Sequence, residues 1–131
     1  MLRIQSTLPD ETEQILRRIL GCAVAVHREL GPGFLERIYQ DALCLEMDSQ
    51  RMRFEREKVV PVRYKGHTIT SQRVDLMVED RVIVEVKCVD RFDRIHEAQV
   101  LSYLRATGLR VGILMNFKTP VLAQGLRRIV L

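Results

Sequence analysis

The 131-residue chain has few cysteines and no long apolar run. Its three cysteines, Cys22, Cys44 and Cys88, are widely spaced and form no C-x-x-C pair, which argues against a zinc site or a disulfide framework. The longest uncharged apolar stretch, residues 19–26, is too short to cross a bilayer. The first eleven residues lack the hydrophobic core and cleavage site of a signal peptide. We therefore expect a cytoplasmic protein with reduced thiols and no contact with a membrane.

The sequence also lacks internal repeats, low-complexity segments and linkers, which favours one domain over residues 1–131. It contains no zinc finger and no aromatic-rich strand of the kind that recognises nucleic-acid bases. Hydrophobic residues make up 47% and charged residues 29% of the chain, which is typical of a folded globular protein. The net charge of +4 is compatible with a polyanionic partner but does not by itself identify one.

A strongly alternating stretch, residues 73–87, predicts a β-hairpin. A three-residue loop at 79–81 would make residues whose numbers sum to 160 cross-strand neighbours. One face of the hairpin is then apolar and consists of Val74, Leu76, Val78, Val82, Val84 and Val86. The other face carries Arg73, Asp75, Met77, Ile83, Glu85 and Lys87.

This register sets two carboxylates, Asp75 and Glu85, directly opposite one another on the charged face. Like charges at such a position cost roughly 0.2–1 kcal/mol, so stability alone does not favour the pair. A divalent cation would turn the repulsion into ligation, because Mg²⁺ commonly takes one or two carboxylates together with waters and phosphate oxygens. Lys87 on the same face could stabilise an anion beside that metal. The alternative is an ordinary amphipathic hairpin with a solvated charged face.

Two helices are predicted before the hairpin. The first starts with Asp10 as N-cap in a capping box with Glu13 and ends at the Gly31-Pro-Gly33 stop signal. The second covers about residues 34–50. Its expected core stripe is Leu35, Ile38, Ala42 and Leu45. Glu36, Tyr39 and Leu43 lie on an adjacent face, where Glu36 is also explained by a favourable interaction with the helix dipole.

Strands and a third helix follow. Residues 54–62 are predicted to form a strand, and Pro61 indicates that it lies at an edge of the sheet or ends there. Gly66 predicts a turn that leads into a second strand over residues 67–78. Residues 109–117 are a buried strand, and 127–131 are a candidate last edge strand. The helix over 93–107 has an apolar stripe of Ile95, Ala98, Leu101 and Leu104 and a polar stripe of His96, Gln99 and Tyr103. The order ααβββαβ predicts an α/β protein with a mixed sheet flanked by helices.

Several motifs occur in a specific order along the chain. Residues Gly33-Phe-Leu-Glu36-Arg-Ile-Tyr39 match G-x-x-E-x-x-Y, and Asp75, Glu85-Val-Lys87 and Gln99-Val-Leu-Ser-Tyr103 follow. With these motifs, the chain from about residue 15 to 131 resembles the bacterial GxxExxY protein family, which is placed in the PD-(D/E)XK nuclease superfamily. One departure is that Val74 stands where the "PD" motif has proline.

The resemblance implies a metal-dependent nuclease with the PD-(D/E)XK core, Mg²⁺ or Mn²⁺ as cofactor and nucleic acid, DNA rather than RNA, as substrate. The implied metal ligands are Asp75, Glu85, the Val86 carbonyl and Glu36. The implied catalytic residues are Lys87, Glu36 and Gln99. Candidate substrate contacts are Arg73, Tyr103 and His96, although His96 is also explained as a surface histidine.

Two other functions stay open at this point. The chain could keep the nuclease fold as a non-catalytic binding or assembly protein, with a protein partner or a second copy of itself. It could also be a metal-dependent hydrolase that acts on another substrate. The intact Asp75, Glu85 and Lys87 set favours the nuclease.

Overall fold

The computed structural model describes residues 6–131 and confirms the predicted α/β class. The elements in chain order are α1 (Asp10–Leu30), α2 (Glu36–Ser49), β1 (Phe54–Tyr64), β2 (His67–Val78), β3 (Val82–Lys87), α3 (Arg94–Thr107), β4 (Val111–Asn116), a short 3-10 helix (Leu122–Gly125) and β5 (Leu126–Val130). The order ααβββαβ is therefore as predicted, and β5 adds the last strand that the C-terminal residues indicated.

The five strands form one mixed sheet in the order β1-β2-β3-β4-β5. Strands β1, β2 and β3 make the antiparallel meander, β3 and β4 run parallel with α3 as the connection, and β5 is antiparallel to β4. Pro61 lies in β1, which is an edge strand as predicted. Helices α1 and α2 cover one face of the sheet, and α3 covers the other.

The register of the β2–β3 hairpin is the one that the alternation predicted. Leu76 pairs with Val84 and Val78 with Val82, and the loop consists of residues 79–81. The predicted apolar face is correct for five of its six members, which pack under α1 and α2: Leu76, Val78, Val82, Val84 and Val86.

Val74 is the exception, because it packs with Ile83 in the core under α3. Around its neighbour Asp75, the ladders on both sides of β2 are interrupted. Arg56 pairs with Leu76 and Lys58 with Val74, but no pair joins Glu57 to Asp75, and Glu57 has a φ of 51°. The strand therefore changes the face that it presents to the core at this point, which strict alternation could not predict.

The expected core stripe of α2 is wrong. Leu35 and Leu45 keep 77% and 71% of their surface exposed, Ile38 is also exposed, and Ala42 is only partly buried. The stripe that packs against the sheet is the adjacent one, formed by Tyr39, Gln40, Leu43, Cys44 and Met47. Burying the Tyr39 ring against Phe117 removes more apolar surface than a leucine could, and the tyrosine hydroxyl still finds hydrogen-bond partners.

Helix α3 also buries a different stripe from the predicted one. Ile95 is 66% exposed and Ala98 is exposed, whereas Val100, Tyr103 and Leu104 are buried. Of the predicted apolar stripe, only Leu104 is fully buried, and Leu101 packs partly against the core. The stripe described as polar, with Gln99 and Tyr103, therefore turns toward the sheet.

The N-terminal cap of α1 also differs from the prediction. The helix already includes Asp10, Pro9 occupies the N-cap position, and no side chain caps the first turn. Glu13 does not close a capping box, because its carboxylate accepts hydrogen bonds from Ser6 and Arg128 instead. The predicted end at Gly31 is correct.

Among residues 6–131, no helix combines the length and the apolar character that crossing a membrane requires. Cys22 and Cys44 are buried free thiols, and Cys88 is a partly exposed one. The organisation of residues 1–131 as one domain stays a prediction.

The position of α2 can be tested with a pair of leucines two residues apart. We expect Leu43→Ala to lower the free energy of unfolding by about 2–5 kcal/mol, because Leu43 is fully buried. Leu45→Ala should change it by less than about 0.5 kcal/mol, since Leu45 is exposed. Urea titration followed by circular dichroism measures both. The opposite ranking would mean that the helix packs through its other stripe.

Candidate active site

The candidate site lies where β2 and β3 separate. At this point the backbone ladder ends and two carboxylates replace it. Asp75 Oδ2 accepts a hydrogen bond from the Val86 backbone nitrogen at 2.9 Å, and Glu85 Oε1 accepts one from the Asp75 backbone nitrogen at 3.2 Å. Each carboxylate is thus fixed to the opposite strand, so the two groups lie next to one another, as the register predicted.

Lys87 extends from β3 into the same site. Its Nζ lies 3.5 Å from Glu85 Oε2, and its side chain is largely buried. Its backbone is held by the parallel strand, because the Phe117 backbone nitrogen donates to the Lys87 carbonyl at 3.0 Å. The ammonium group is therefore the cation next to the buried carboxylate.

Asn116 supports this arrangement, although no pattern in the sequence predicted a role for it. It pairs with Lys87 across the parallel ladder, is 2% exposed, and bonds the loop after β3. Its side chain donates to the Val89 carbonyl and accepts from the Val89 backbone nitrogen. A single polar residue at the end of the apolar run 109–117 was the signal for such a buried role.

The G-x-x-E-x-x-Y residues build the loop that presents Glu36. The Tyr39 hydroxyl donates to the Gly31 carbonyl and accepts from the Phe34 backbone nitrogen, while its ring stacks on Phe117 at 4.6 Å between centroids. Gly33 has a φ of 116°, which only glycine adopts without strain. Glycine and tyrosine therefore fix the loop, and the glutamate begins α2 at its end.

Glu36, the first residue of α2, comes from the face of the sheet opposite to α3. Partial burial raises its pKa, and the charge of Asp75 acts in the same direction, while Lys87 and the Cys88 backbone nitrogen lower it. The residue still keeps an exposed surface. Glu36 therefore shares the electrostatic environment of Asp75 and Lys87 and remains open to solvent.

Helix α3 contributes Gln99 and Tyr103. Burial, followed by the negative charges of Glu85 and Asp75, raises the pKa of Tyr103 to about 12, so its hydroxyl stays protonated at neutral pH. Gln99 lies one turn before Tyr103 on the same helix. Both residues therefore belong to the site that Asp75 and Glu85 define.

His96 and Arg73 lie at the rim of the site. His96 Nδ1 accepts a hydrogen bond from the Asp93 backbone nitrogen at 3.0 Å, and Asp93 caps α3 in return. This capping role is an assignment that the sequence analysis missed. Arg73 lies 3.8 Å from Glu57 Oε2, and its side chain is well exposed. The negative charge of Glu57 contributes to the raised pKa of Asp75. No periodic pattern in the sequence marked Glu57 as a residue of this site.

Burial raises the pKa of both central carboxylates above their ordinary values. Burial and the neighbouring Asp75 charge raise the pKa of Glu85 to about 7, against an ordinary value of 4.5, and Glu85 is only 3% exposed. Burial also raises the pKa of Asp75. In the absence of a cation, the pair therefore holds a proton near neutral pH, because two adjacent buried carboxylates resist full ionisation.

The donor set fits a divalent cation held by two carboxylates. Asp75 Oδ1 and Glu85 Oε2 remain outside the backbone hydrogen bonds described above, and a hard cation such as Mg²⁺ takes oxygen ligands of this kind. In the part of the chain that the structure describes, no three His, Cys, Asp or Glu side chains are grouped closely enough to hold an ion together. The protein ligands would thus be Asp75, Glu85 and the Val86 carbonyl, with Glu36 further away.

The raised pKa of Glu85 predicts a pH dependence of stability in EDTA. Between about pH 4.5 and 7 the folded protein retains the Glu85 proton that the unfolded chain has lost, so this group favours folding less as the pH rises. Glu85→Gln removes this titration. From pH 4.5 to 7, the wild type should therefore lose stability relative to the variant. The difference in free energy of unfolding, variant minus wild type, should rise with pH. Parallel curves for the two proteins would contradict the raised pKa.

The role of Gly33 can be tested against a second glycine. Gly33→Ala should lower the free energy of unfolding by about 1–3 kcal/mol, because alanine is strained at a φ of 116°. Gly21→Ala, in an exposed turn of α1, should raise it by about 0.5–1 kcal/mol. Thermal unfolding of both variants measures the effects. A Gly33→Ala protein as stable as the wild type would show that the loop does not require glycine.

Comparison with known proteins gives one match. A family model described as the PD-(D/E)XK nuclease superfamily matches residues 13–129. No curated protein matches the chain, and no solved structure does. The matched range contains Glu36, Asp75, Glu85, Lys87 and Gln99, and the mixed sheet flanked by helices is consistent with the fold of that superfamily. The chain belongs to the PD-(D/E)XK nuclease superfamily.

Proposed function

We propose that the protein is a metal-dependent nuclease that hydrolyses phosphodiester bonds in nucleic acid, with DNA favoured over RNA. Membership of the nuclease superfamily suggests a nucleic-acid substrate, and nucleases of this superfamily generally use divalent metal ions. The observation that carries the proposal is the buried Asp75–Glu85 pair with Lys87 beside it. We also assign the chain to the GxxExxY family, because Gly33, Glu36 and Tyr39 cooperate in presenting one glutamate to this pair.

Each residue of the site has a distinct part in the proposed reaction. Asp75, Glu85 and the Val86 carbonyl hold Mg²⁺ or Mn²⁺, and the bound ion supplies Lewis-acid polarisation of the phosphate and a more acidic water. Lys87, 3.5 Å from Glu85, stabilises negative charge that develops on the phosphate or positions the attacking water. Glu36 is the exposed carboxylate that orients a water or a second ligand. Gln99 and the protonated Tyr103 hydroxyl offer hydrogen bonds to the same region.

The outer residues contribute to substrate binding in this proposal. Arg73 is exposed and its partner Glu57 is 3.8 Å away, so a phosphate could replace this weak ion pair. His96 uses Nδ1 in the helix cap, which leaves Nε2 for a contact with substrate. A cytoplasmic location stays a prediction from the free thiols.

A second candidate is a binding or assembly protein that keeps the nuclease fold without the chemistry. One observation favours it: within residues 6–131, no three acidic, histidine or cysteine side chains are grouped around a metal position. A pair that retains a proton near pH 7 would also bind a cation weakly, because the cation must displace that proton.

A cleavage assay with a lysine variant tests the first proposal. We expect the wild type to cut linear duplex, single-stranded or circular DNA, or RNA, in Mg²⁺ or Mn²⁺ but not in EDTA. Lys87→Ala should lower the rate by roughly 10²-fold or more, because it removes the cation beside the reacting phosphate. Gel analysis of labelled substrates measures both rates and identifies the preferred substrate.

Lys118→Ala is the matched control. Lys118 lies two residues after β4 and, like Lys87, forms an ion pair with an acidic residue, but its pair with Asp90 is exposed. This variant should cleave like the wild type. If well-folded wild-type protein cuts none of the substrates and calorimetry detects no metal binding, the non-catalytic binding protein is the correct function.

A further inference from the structure

The β1–β2 hairpin extends beyond the rest of the sheet. Strand β3 pairs with residues 76–78 of β2, and from residue 73 back to 67 β2 pairs with β1 alone. We call residues 59–73 the arm. Its tip is a two-residue turn in which Lys65 and Gly66 both have positive φ, as a tight hairpin turn requires. The base of the arm packs on α3 through Val60 and through a hydrogen bond between Gln72 and Ser102.

The arm carries cations without acidic residues. Residues 59–73 contain Arg63, Lys65, Arg73 and one histidine, and neither aspartate nor glutamate. Arg63 and Lys65 are exposed, and neither forms an ion pair with another residue of the described chain. Tyr64, between them, is 60% exposed, with the Lys65 ammonium 5.5 Å from the centre of its ring. A concentration of unpaired positive charge on a projecting element is the electrostatic pattern of a surface that binds phosphates.

The edge of the arm argues against pairing with a second copy of the chain. Strand β1 is an edge strand, and β2 pairs with β1 alone over residues 67–73, so either strand could in principle add another. Pro61 has no backbone donor, and the register of the pair shifts between Val62 and Arg63. Proline, bulges and cations are the features by which edge strands avoid pairing with other strands, so the exposed tip is better suited to an anionic partner.

The dimensions of the arm fit duplex DNA. At about 3.3 Å per residue, residues 67–73 span roughly 20 Å, and the two strands lie about 4.8 Å apart. The major groove of B-DNA, about 12 Å wide, admits a two-stranded ribbon of this kind. The corresponding groove of an RNA duplex is too deep and narrow for side chains to enter.

The arm also leads to the proposed active site. A cleft of about 510 Å³ lies along α3, where Gln72 of the arm meets the helix, and is lined by Gln72, Ile95, His96, Ala98, Gln99 and Ser102. Gln72 belongs to the arm, and Gln99 belongs to the group around Asp75 and Glu85. A duplex that follows the arm from its tip to its base would therefore reach the site where its backbone would be cut.

From these observations we propose that the arm is a docking element for duplex DNA, with Arg63 and Lys65 contacting phosphates while the ribbon follows the major groove. This proposal deepens the proposed nuclease function, on which it rests for the identity of the substrate. It assigns the binding of the duplex to a surface outside the carboxylate site.

The test compares two double variants that lose the same net charge. Arg63→Ala with Lys65→Ala removes the cations of the tip, and Arg17→Ala with Arg28→Ala removes two exposed cations of α1. Binding of a labelled duplex oligonucleotide in EDTA, where cleavage does not occur, is measured by fluorescence anisotropy at several salt concentrations. All variants are first compared with the wild type by circular dichroism.

For the arm variant we expect the Kd at 0.1 M salt to rise roughly ten- to a hundred-fold and the slope of log K against log salt to fall by about 2. The α1 variant should bind within roughly three-fold of the wild type, since it keeps both phosphate contacts. Equal losses in the two variants would overturn the proposal, because only net charge would then matter. Tighter binding of a single strand than of the duplex would overturn it too, as would a dimer by light scattering that the arm variant disrupts.

Cleavage assays on the same proteins separate this proposal from the nuclease proposal. Loss of duplex binding in the arm variant, with no cleavage by any preparation, supports the arm and refutes the nuclease. Cleavage by the wild type, with unchanged affinity and rate in the arm variant, refutes the arm and leaves the nuclease standing.

Discussion

Reciprocal hydrogen bonds from the backbone to the Asp75 and Glu85 carboxylates hold β2 and β3 together where their ladder ends. By accepting from the Val86 and Asp75 backbone nitrogens, the carboxylates satisfy donors that the interrupted ladder would leave unpaired. The same interruption lets β2 change its face, so that Val74 packs under α3 while Leu76 packs under α1 and α2. The end of the β2–β3 ladder thus leaves room for the two carboxylates. At the same point β2 passes from the core under α3 to the core under α1 and α2.

The sequence predicted the hairpin register because two independent constraints agreed there. Alternation from residue 82 to 87 and the three-residue loop both require Leu76 opposite Val84. It did not predict the rotation of α2 and α3, because each helix has two adjacent stripes that differ little in hydrophobicity. Tertiary contacts chose between them: Tyr39 buries its ring on Phe117, and Tyr103 fills the space beside the carboxylates. Periodicity identifies the helix, but the shape of the opposing surface decides which stripe is buried.

The site residues divide in the same way. Asp75, Glu85 and Lys87 lie on neighbouring strand positions, so a correct register was sufficient to bring them together. Glu36, Gln99 and Tyr103 come from helices on opposite faces of the sheet. No local pattern relates them, and only the order of the motifs along the chain predicted that they share one site. Asn116 and the cap formed by His96 were missed, because a single buried amide and a local side-chain hydrogen bond leave no periodic trace.

The distribution of charge supports a separate binding surface in the proposed nuclease. Asp75, Glu85 and Glu36 create a negative field that repels phosphate, and Lys87 is the cation 3.5 Å from Glu85. In the proposed nuclease, a divalent metal would offset two of these charges, which would suffice for chemistry on one phosphate but not for holding a duplex that carries many. The attraction that brings the duplex to the protein must then come from other cations. These cations must lie far enough from the carboxylates not to neutralise them. The arm meets this requirement, because its unpaired cations Arg63 and Lys65 lie near its tip, on strand segments that extend beyond the carboxylate pair.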